Sequence, residues 1–281
     1  MTSELTSARD AAERDAREGM RRAGVTVRPL HSAGDCVAAA TLLAAIWGTA
    51  VESSPLQSDL LTSLGHAGGC VLGAVDTDGT IVGVAVGVGG APQSDRLYSL
   101  IAGVHADHAG RGVGLALKQT QRLWALERGA TTMAWTYDPL VRRNAHFNLN
   151  RLGASAVEYV PDFYPPMHDA VNRSDLTDRL TVVWDLVAPT PGDGGNLRHE
   201  RRLLEPADDG GPRAEDGEDG DALAVWIPPD IEGMRRGDPV LAMRWRLAVR
   251  DALGGAFQAG FRARRITTDG YYILTRGDDR P

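Results

Sequence analysis

The feature that most constrains this chain is the segment from Leu97 to Leu117, where a strand-like run empties into a loop with glycine at every second position. Leu97 to Val104 is apolar enough to be a strand, Gly110, Gly112 and Gly114 follow, and a helical pattern begins at once. Glycine lets bare main chain approach a ligand. The first helical turn then aims N–H groups without intrahelical partners, and the positive end of the helix dipole, at whatever sits there. The guest such a loop suits is a phosphate. A P-loop needs lysine directly after its last glycine, but the chain's single lysine, Lys118, follows Leu117. A dinucleotide fingerprint needs glycine where Leu115 or Leu117 stands, and the preceding chain reads as a hairpin instead of a parallel unit. Glycines in a strand-to-helix turn also arise for local reasons, so the loop alone leaves function open.

Around this loop the patterns alternate. Val25 to Leu30 reads as a strand, and Asp35 to Trp47 and Leu56 to Leu64 as helices. Cys70 to Val75 and Ile81 to Val88 form an antiparallel hairpin about the turn Asp76 to Gly79. Gly112 to Glu127 is a helix stopped by Gly129, Thr132 to Thr136 a strand, and Asn144 to Leu152 a helix closed by Gly153. Ala154 to Val160 and Leu180 to Leu186 are further strands. Residues 188–221 are dense in Gly, Pro and acids and are predicted to be a linker, since they bury too little to offset their ordering entropy. Beyond them, Ala222 to Ile227 reads as a strand, Pro239 to Ala259 as a helix, and Arg262 to Thr267 with Tyr271 to Thr275 as a hairpin-like pair. The organisation predicted is a helical arm over 1–24, a main domain over 25–187, the linker over 188–221 and a small α/β extension over 222–281. About 60 residues make a marginal core, so the extension is expected to pack on the main domain or to join two copies as a homodimer.

The order of elements and two blocks of residues resemble the GNAT superfamily of N-acyltransferases. Its central motif, (Arg/Gln)-x-x-Gly-x-(Gly/Ala) after a strand with Val near its end, is matched by Gly112 and Gly114 and by Gly103 and Val104; the leading position is Ala109. The second block, Asn144 to Ala154, is similar to the family's Asn, Ala, (Phe/Leu)-Tyr-x-x-x-Gly-Phe signature, with Leu149 where the family has its general-acid Tyr. Tyr137-Asp138-Pro139-Leu140, with Trp226-Ile227-Pro228, Asp238-Pro239 and Trp245-Arg246, looks like a bacterial group of the family with a C-terminal extension, whose members have been linked to N-acylation of amino acids. The resemblance covers about residues 25–187. It implies a mixed α/β (α+β) fold, a twisted and mostly antiparallel sheet flanked by helices. It also implies acyl-CoA, most simply acetyl-CoA, as cosubstrate, held by Gly103, Val104, Ala109, Gly110, Arg111, Gly112, Val113 and Gly114, with Asn144 on the pantetheine arm. The thioester would lie in a cleft beside the strands ending near Val104 and Thr136, where a small-molecule amine attacks directly.

With Leu149 in place of the acid, Tyr137 at a strand end becomes the candidate acid; the alternative is a partly buried aromatic with a satisfied hydroxyl. Asp138 is a weak candidate base, and before Pro139 an N-cap is the better reading. His105 and His108 flank the loop and could steer phosphate or act as base, although a solvated loop histidine is the better reading of each; His146 lies beside Asn144 on the helix, where it lines the cleft or merely covers it. Glu52 and Ser53 to Gln57 stand where the family admits its acceptor. Arg235, Arg236, Arg244, Arg246 and Arg250 read as a solvated cationic face. The rival to an enzyme is a catalytically silent acyl-CoA-binding or regulatory module; acylation of a protein N-terminus or lysine is a third reading.

Composition narrows the field further. The formal charge is −7, and residues 205–221 carry eight acids against Arg213, so the rest sums to zero and no basic surface for nucleic acid is indicated. Cys36 and Cys70 have neither disulfide-framework nor metal-site spacing. The most apolar windows, 36–47 and 81–89, fall short of the roughly 20 residues that cross a bilayer. No metal and no membrane partner is expected, and a cytoplasmic protein is.

Overall fold

The computed structural model describes residues 2–90, 94–167, 169–173, 175–189, 200–215 and 222–276. The chain divides into two compact units. The first comprises Met1–Ala134 with Asp169–Val171 and Asp185–Pro189; the second comprises Trp135–His168, Asn172–Trp184 and Thr190–Pro281.

In the first unit the order is α1 (Thr2–Ala23), β1 (Thr26–Pro29), α2 (Ala33–Trp47), α3 (Ser58–His66), β2 (Cys70–Val75), β3 (Ile81–Gly89), β4 (Arg96–Val104) and α4 (Val113–Glu127). It closes with the start of β5 (Thr132–Tyr137). β1 to β4 form an antiparallel meander, and β5 joins β4 in parallel through Arg96↔Thr132, Leu97↔Met133 and Tyr98↔Ala134. The hairpin between β2 and β3 closes because Asp76 Oδ1 accepts from the N–H groups of Asp78 and Thr80, at 3.0 and 2.9 Å, and Gly79 supplies the positive φ.

β2 and β3 are apolar on both faces because both faces are covered. Val71, Val84 and Val86 pack with Leu43, Ala39 and Cys36 of α2 and Leu61 of α3. Cys70, Leu72, Val82 and Ala85 pack with Val113, Ala116 and Leu117 of α4. α2 is framed by local chemistry: Ser32 Oγ accepts from Asp35 N–H at 3.0 Å, and Gly48 ends it in the left-handed region. The charged N-terminal segment is a docked helix. Ala8, Ala12 and Ala16 of α1 are buried, Gly19 packs against Ala116 of α4, and the buried Arg122 of α4 reaches Asp15 at 3.1 Å and the Leu186 carbonyl at 2.9 Å.

The second unit contains α5 (Arg142–Ala145), β6 (Ser155–Val160), β7 (Arg179–Asp185), β8 (Glu200–Pro206), β9 (Pro212–Ala214), β10 (Ala222–Trp226), α6 (Ile231–Gly237), α7 (Pro239–Gln258), β11 (Phe261–Ile266) and β12 (Tyr271–Arg276). Its strands run in the order β7-β6-β11-β12-β10-β8-β9. All pairs are antiparallel save β8 with β10.

Two expectations change here. The predicted linker over 188–221 contains β8 and β9; its remaining stretches, 190–199 and 216–221, lie outside the described residues. Leu204 is buried on β8, and Arg202 and Arg213 pair with Glu205, so a strand forms where average composition suggested none. The division into units falls inside β5 instead of at residue 187. β11 of the predicted extension pairs with β6 through Ala263↔Ala156, so the extension shares a sheet with residues 155–160. No helix among the described residues is long and apolar enough to cross a membrane.

Lys118 of α4 is 4% exposed. Its ammonium donates to Ser99 Oγ at 2.8 Å and Gln121 Oε1 at 3.2 Å, and burial pushes its pKa down to about 7. The folded chain therefore binds fewer protons than the unfolded chain between about pH 7 and the ordinary lysine value near 10.4, so this group makes stability rise with pH across that window. Lys118→Met is expected to flatten that rise, with stability at pH 7 equal or higher, in urea titrations followed between pH 7 and 10.

Candidate functional site

β4 is irregular shortly before its end. Val86 faces Ile101 and Gly87 faces Ser99, so Leu100 is an extra residue on β4. Such a bulge bends a strand and re-aims the main chain that follows. Gly103 and Val104 lie in the ladder opposite Val84 and Gly83. A Cβ at Gly103 would stand 2.9 Å from Ile46 Cδ1 and 3.1 Å from Trp47 Cζ3, so this glycine admits the end of α2 instead of a ligand.

Beyond β4, His105 N–H bonds to Val82 O at 2.9 Å and Ala106–His108 make one tight turn. Ala109, Gly110, Arg111 and Gly112 are exposed. Gly110 has φ 73° and Gly112 φ 89°, both in the left-handed region. A Cβ on Gly110 would meet nothing within 4 Å, and one on Gly112 would meet only Ala23 Cβ at 3.8 Å. The loop is open on its outer side. α4 starts without a side-chain cap, because its N-cap is Gly112, and no acid occupies its first turn. Val113 is buried and Ala116 N–H returns to Gly112 O at 3.0 Å. The N–H groups of Val113, Gly114 and Leu115 precede the first intrahelical bond. Main-chain donors after left-handed glycines at a helix start form a concavity for an anion. Arg111 in the loop is exposed, and His105 and His108 form an edge-to-face pair in the turn before it, ring centroids 6.3 Å apart, with the exposed Asp107 between them in sequence.

The segment expected to admit an acceptor lies in the same unit. Val51–Ser53 is a single turn with Glu52 exposed, and Ser54 is buried, its hydroxyl 2.9 Å from Ala40 O and 3.0 Å from Leu56 O. Ala170 N–H bonds to Trp47 O at 3.0 Å, which places a short return of the chain beside the end of α2.

The remaining candidates, Tyr137, Asp138 and Asn144, belong to the second unit. Tyr137 is buried, and its hydroxyl donates to Tyr272 Oη at 3.2 Å, since the Tyr272 proton goes to Pro139 O at 2.8 Å. Burial pushes its pKa well above the ordinary phenol value. This corrects the candidate acid: the hydroxyl is spent in the interior. Asp138 is corrected as well. It accepts from Leu140 N–H at 3.0 Å in a local turn, not as the N-cap of α5. It also accepts from Arg235 Nη2 at 2.5 Å and Arg246 Nη2 at 2.9 Å. Burial alone would raise its carboxyl, but Arg246, Arg235 and Arg179 hold it well below the usual carboxylate range, so it is no base.

Asn144 is half-buried on α5. The predicted helix from Asn144 to Leu152 widens after one turn into π geometry over His146–Arg151. Asn148 accepts from Trp135 Nε1 at 3.2 Å, and Asn150 bonds both ways to the Ile266 backbone, at 2.8 and 2.9 Å, anchoring the widened turns at two points. Leu149 is buried and His146 exposed.

The cationic face read from the sequence of α6 and α7 is in part an interior. Arg246 is 0% exposed, and both it and Arg235 reach Asp175 as well as Asp138. Arg250 pairs with the buried Asp178 at 2.5 Å, and Asp178 also accepts from Tyr159. The signal for this was spacing: Arg246 lies between Trp245 and Val249 on the apolar side of α7.

No protein-family model and no curated protein matches this sequence. Among solved structures the chain is similar to a Desulfovibrio desulfuricans protein of the GNAT family, 18% identical, over 58% of this chain and 99% of that one, with a TM-score of 0.46. It is similar to an N-acetyltransferase from Staphylococcus aureus Mu50, 15% identical, over 58% and 98%, with a TM-score of 0.47. It is also similar to a Salmonella typhimurium structure carrying acetyl-CoA as its cofactor, 18% identical, over 58% and 94%, with a TM-score of 0.47. None of these likenesses assigns a residue or a reaction to this chain.

Removing the Asp138 carboxylate leaves two buried guanidinium groups short of an anion. Asp138→Asn is therefore expected to cost about 3–5 kcal/mol in urea denaturation, whereas Tyr137→Phe, which loses one neutral hydrogen bond, is expected to cost about 1 kcal/mol.

Proposed function

We propose that the protein is a CoA-dependent N-acyltransferase that moves an acyl group, most simply acetyl, from acyl-CoA to the primary amine of a small molecule. The observation that carries this reading is the open loop from Ala109 to Gly112, with left-handed glycines, no side-chain cap and no first-turn acid on α4. It fits a diphosphate: the donors are main-chain N–H groups, the space outside the glycines is free, and Arg111 stands beside it. With acyl-CoA bound, the ligand supplies an activated thioester carbonyl. The chain's part is to hold the diphosphate at Gly110 to Leu115, so that amine and thioester meet at high effective concentration. The Leu100 bulge sets the direction of the main chain leading into that loop. An amine with a pKa near 10 is mostly protonated at neutral pH, so the rate is expected to rise with pH as the free amine becomes available.

A second reading, a silent acyl-CoA-binding module, is favoured by the burial of Tyr137 and by Leu149 in the acid's place. The leaving thiolate needs no strong acid, its pKa being comparable to that of cysteine. Release of free thiol from acetyl-CoA in the presence of pooled amino acids and other small amines separates the two: binding without turnover would establish the silent module. Gly112→Val would force a β-branched residue to φ 89° and fill the cradle. It is expected to lower CoA affinity more than about tenfold, or about 1.4 kcal/mol, while the fold survives; unchanged affinity in calorimetry would contradict the site.

A further inference from the structure

We propose that Lys118 is a positioning residue: acting through Ser99, it holds the bulged stretch of β4 from which the main chain runs into the glycine loop. Lys118 is the single lysine among the chain's 30 lysine and arginine residues, and it stands in the interior of the first unit. A buried ammonium is costly, but its compact head on a flexible stem suits a narrow interior site better than a planar guanidinium. What it reaches is a ring of side chains. The ammonium donates to Ser99 Oγ at 2.8 Å and Gln121 Oε1 at 3.2 Å, and the Ser99 hydroxyl donates to the same Gln121 oxygen at 3.0 Å. Met133 Sδ of β5 lies 3.8 Å from Nζ. Ser99, Gln121 and Met133 are all buried, so bulk water does not compete for these bonds.

Ser99 is where β4 needs holding. The ladder to β5 ends at Tyr98↔Ala134, one residue earlier. The extra residue of the bulge, Leu100, comes directly after and is 38% exposed, so its own packing does little to fix it. Ala102 is exposed as well. On the side of β4 that faces α4, the anchor at the bulge is therefore the Ser99 hydroxyl. Ser99 precedes the glycine loop and Lys118 follows it, so one buried bond joins the strand that enters the loop to the helix that leaves it. Cys70 of β2 acts on the same ammonium. Burial pushes its thiol up to about 12, so it stays protonated while Lys118, brought down to about 7, changes charge. Ser99, Gln121 and Met133 do not titrate there. The charged amine makes the stronger bond to Ser99, so the hold weakens as Lys118 loses its proton.

Amide hydrogen exchange of the full chain without ligand tests this. Lys118→Met is expected to lower the protection of those amides from Leu100 to Val104 that face β3 at least about tenfold at about pH 6, while β2 amides keep theirs. Ser99→Ala is expected to do the same, and Ser99→Thr, which keeps the hydroxyl, to retain wild-type protection. The double variant of Lys118→Met and Ser99→Ala is expected to add nothing to either change alone. In the wild type this local protection is expected to fall between about pH 6 and about pH 8, and in Lys118→Met to stay level. The consequence for the ligand rests on the acyltransferase reading: CoA affinity is expected to drop at least about fivefold in Lys118→Met and in Ser99→Ala. A wild type that binds no CoA would refute that reading and leave the exchange measurement, made on the free protein, to decide this one. Local protection unchanged by both Lys118→Met and Ser99→Ala, or lost equally across β2 and β3, would overturn the proposal.

Discussion

α4 must bury one face against β2 and β3 while leaving its first turn bare, and the arrangement of the first unit follows from that. Val113, Ala116 and Leu117 are drawn into the core, so the helix cannot shift to satisfy its own leading N–H groups. Gly112, left-handed and without a side chain, opens the helix without capping it. α1 locks the helix from outside through the alanine face and Gly19. The donors of the loop are thus preorganised by burial elsewhere, and an anion that meets them need not reorder the backbone.

The second unit is organised by a different force. Asp138, Asp175 and Asp178 are bound by Arg235, Arg246 and Arg250, which are carried on α6 and α7. Pairs of this kind add little net stability over well-packed apolar residues, yet losing one partner is costly. Here they tie the turn at Asp138 and the start of β7 to the C-terminal helices. The C-terminal region is therefore built into the same unit as α5 and β6, not appended to it.

Much of this was legible in the sequence where periodicity and turn chemistry agree. The β2–β3 hairpin follows from the turn at Asp76 to Gly79, α2 from its apolar spacing, and α4 from the run between Gly112 and Gly129. The left-handed backbone of the glycine loop was legible because glycine is the residue that adopts it freely. Other features depend on long-range partners that no local pattern reveals. β8 exists because β10 pairs with it and buries Leu204, in a stretch whose composition argues for a linker. Tyr137 meets Tyr272 and Asp138 meets Arg246 across more than 100 residues of chain. The π geometry after Ala145 goes with Asn148 and Asn150 bonding to Trp135 and Ile266, again partners remote in sequence.

Backbone amide NMR during titration with coenzyme A is the most direct measurement of whether bare main-chain donors at the start of α4 hold a diphosphate. The amides of Gly110 to Leu115 are expected to show the largest shifts and to saturate together. Saturable binding that leaves those amides unmoved, or no binding at all, would contradict it.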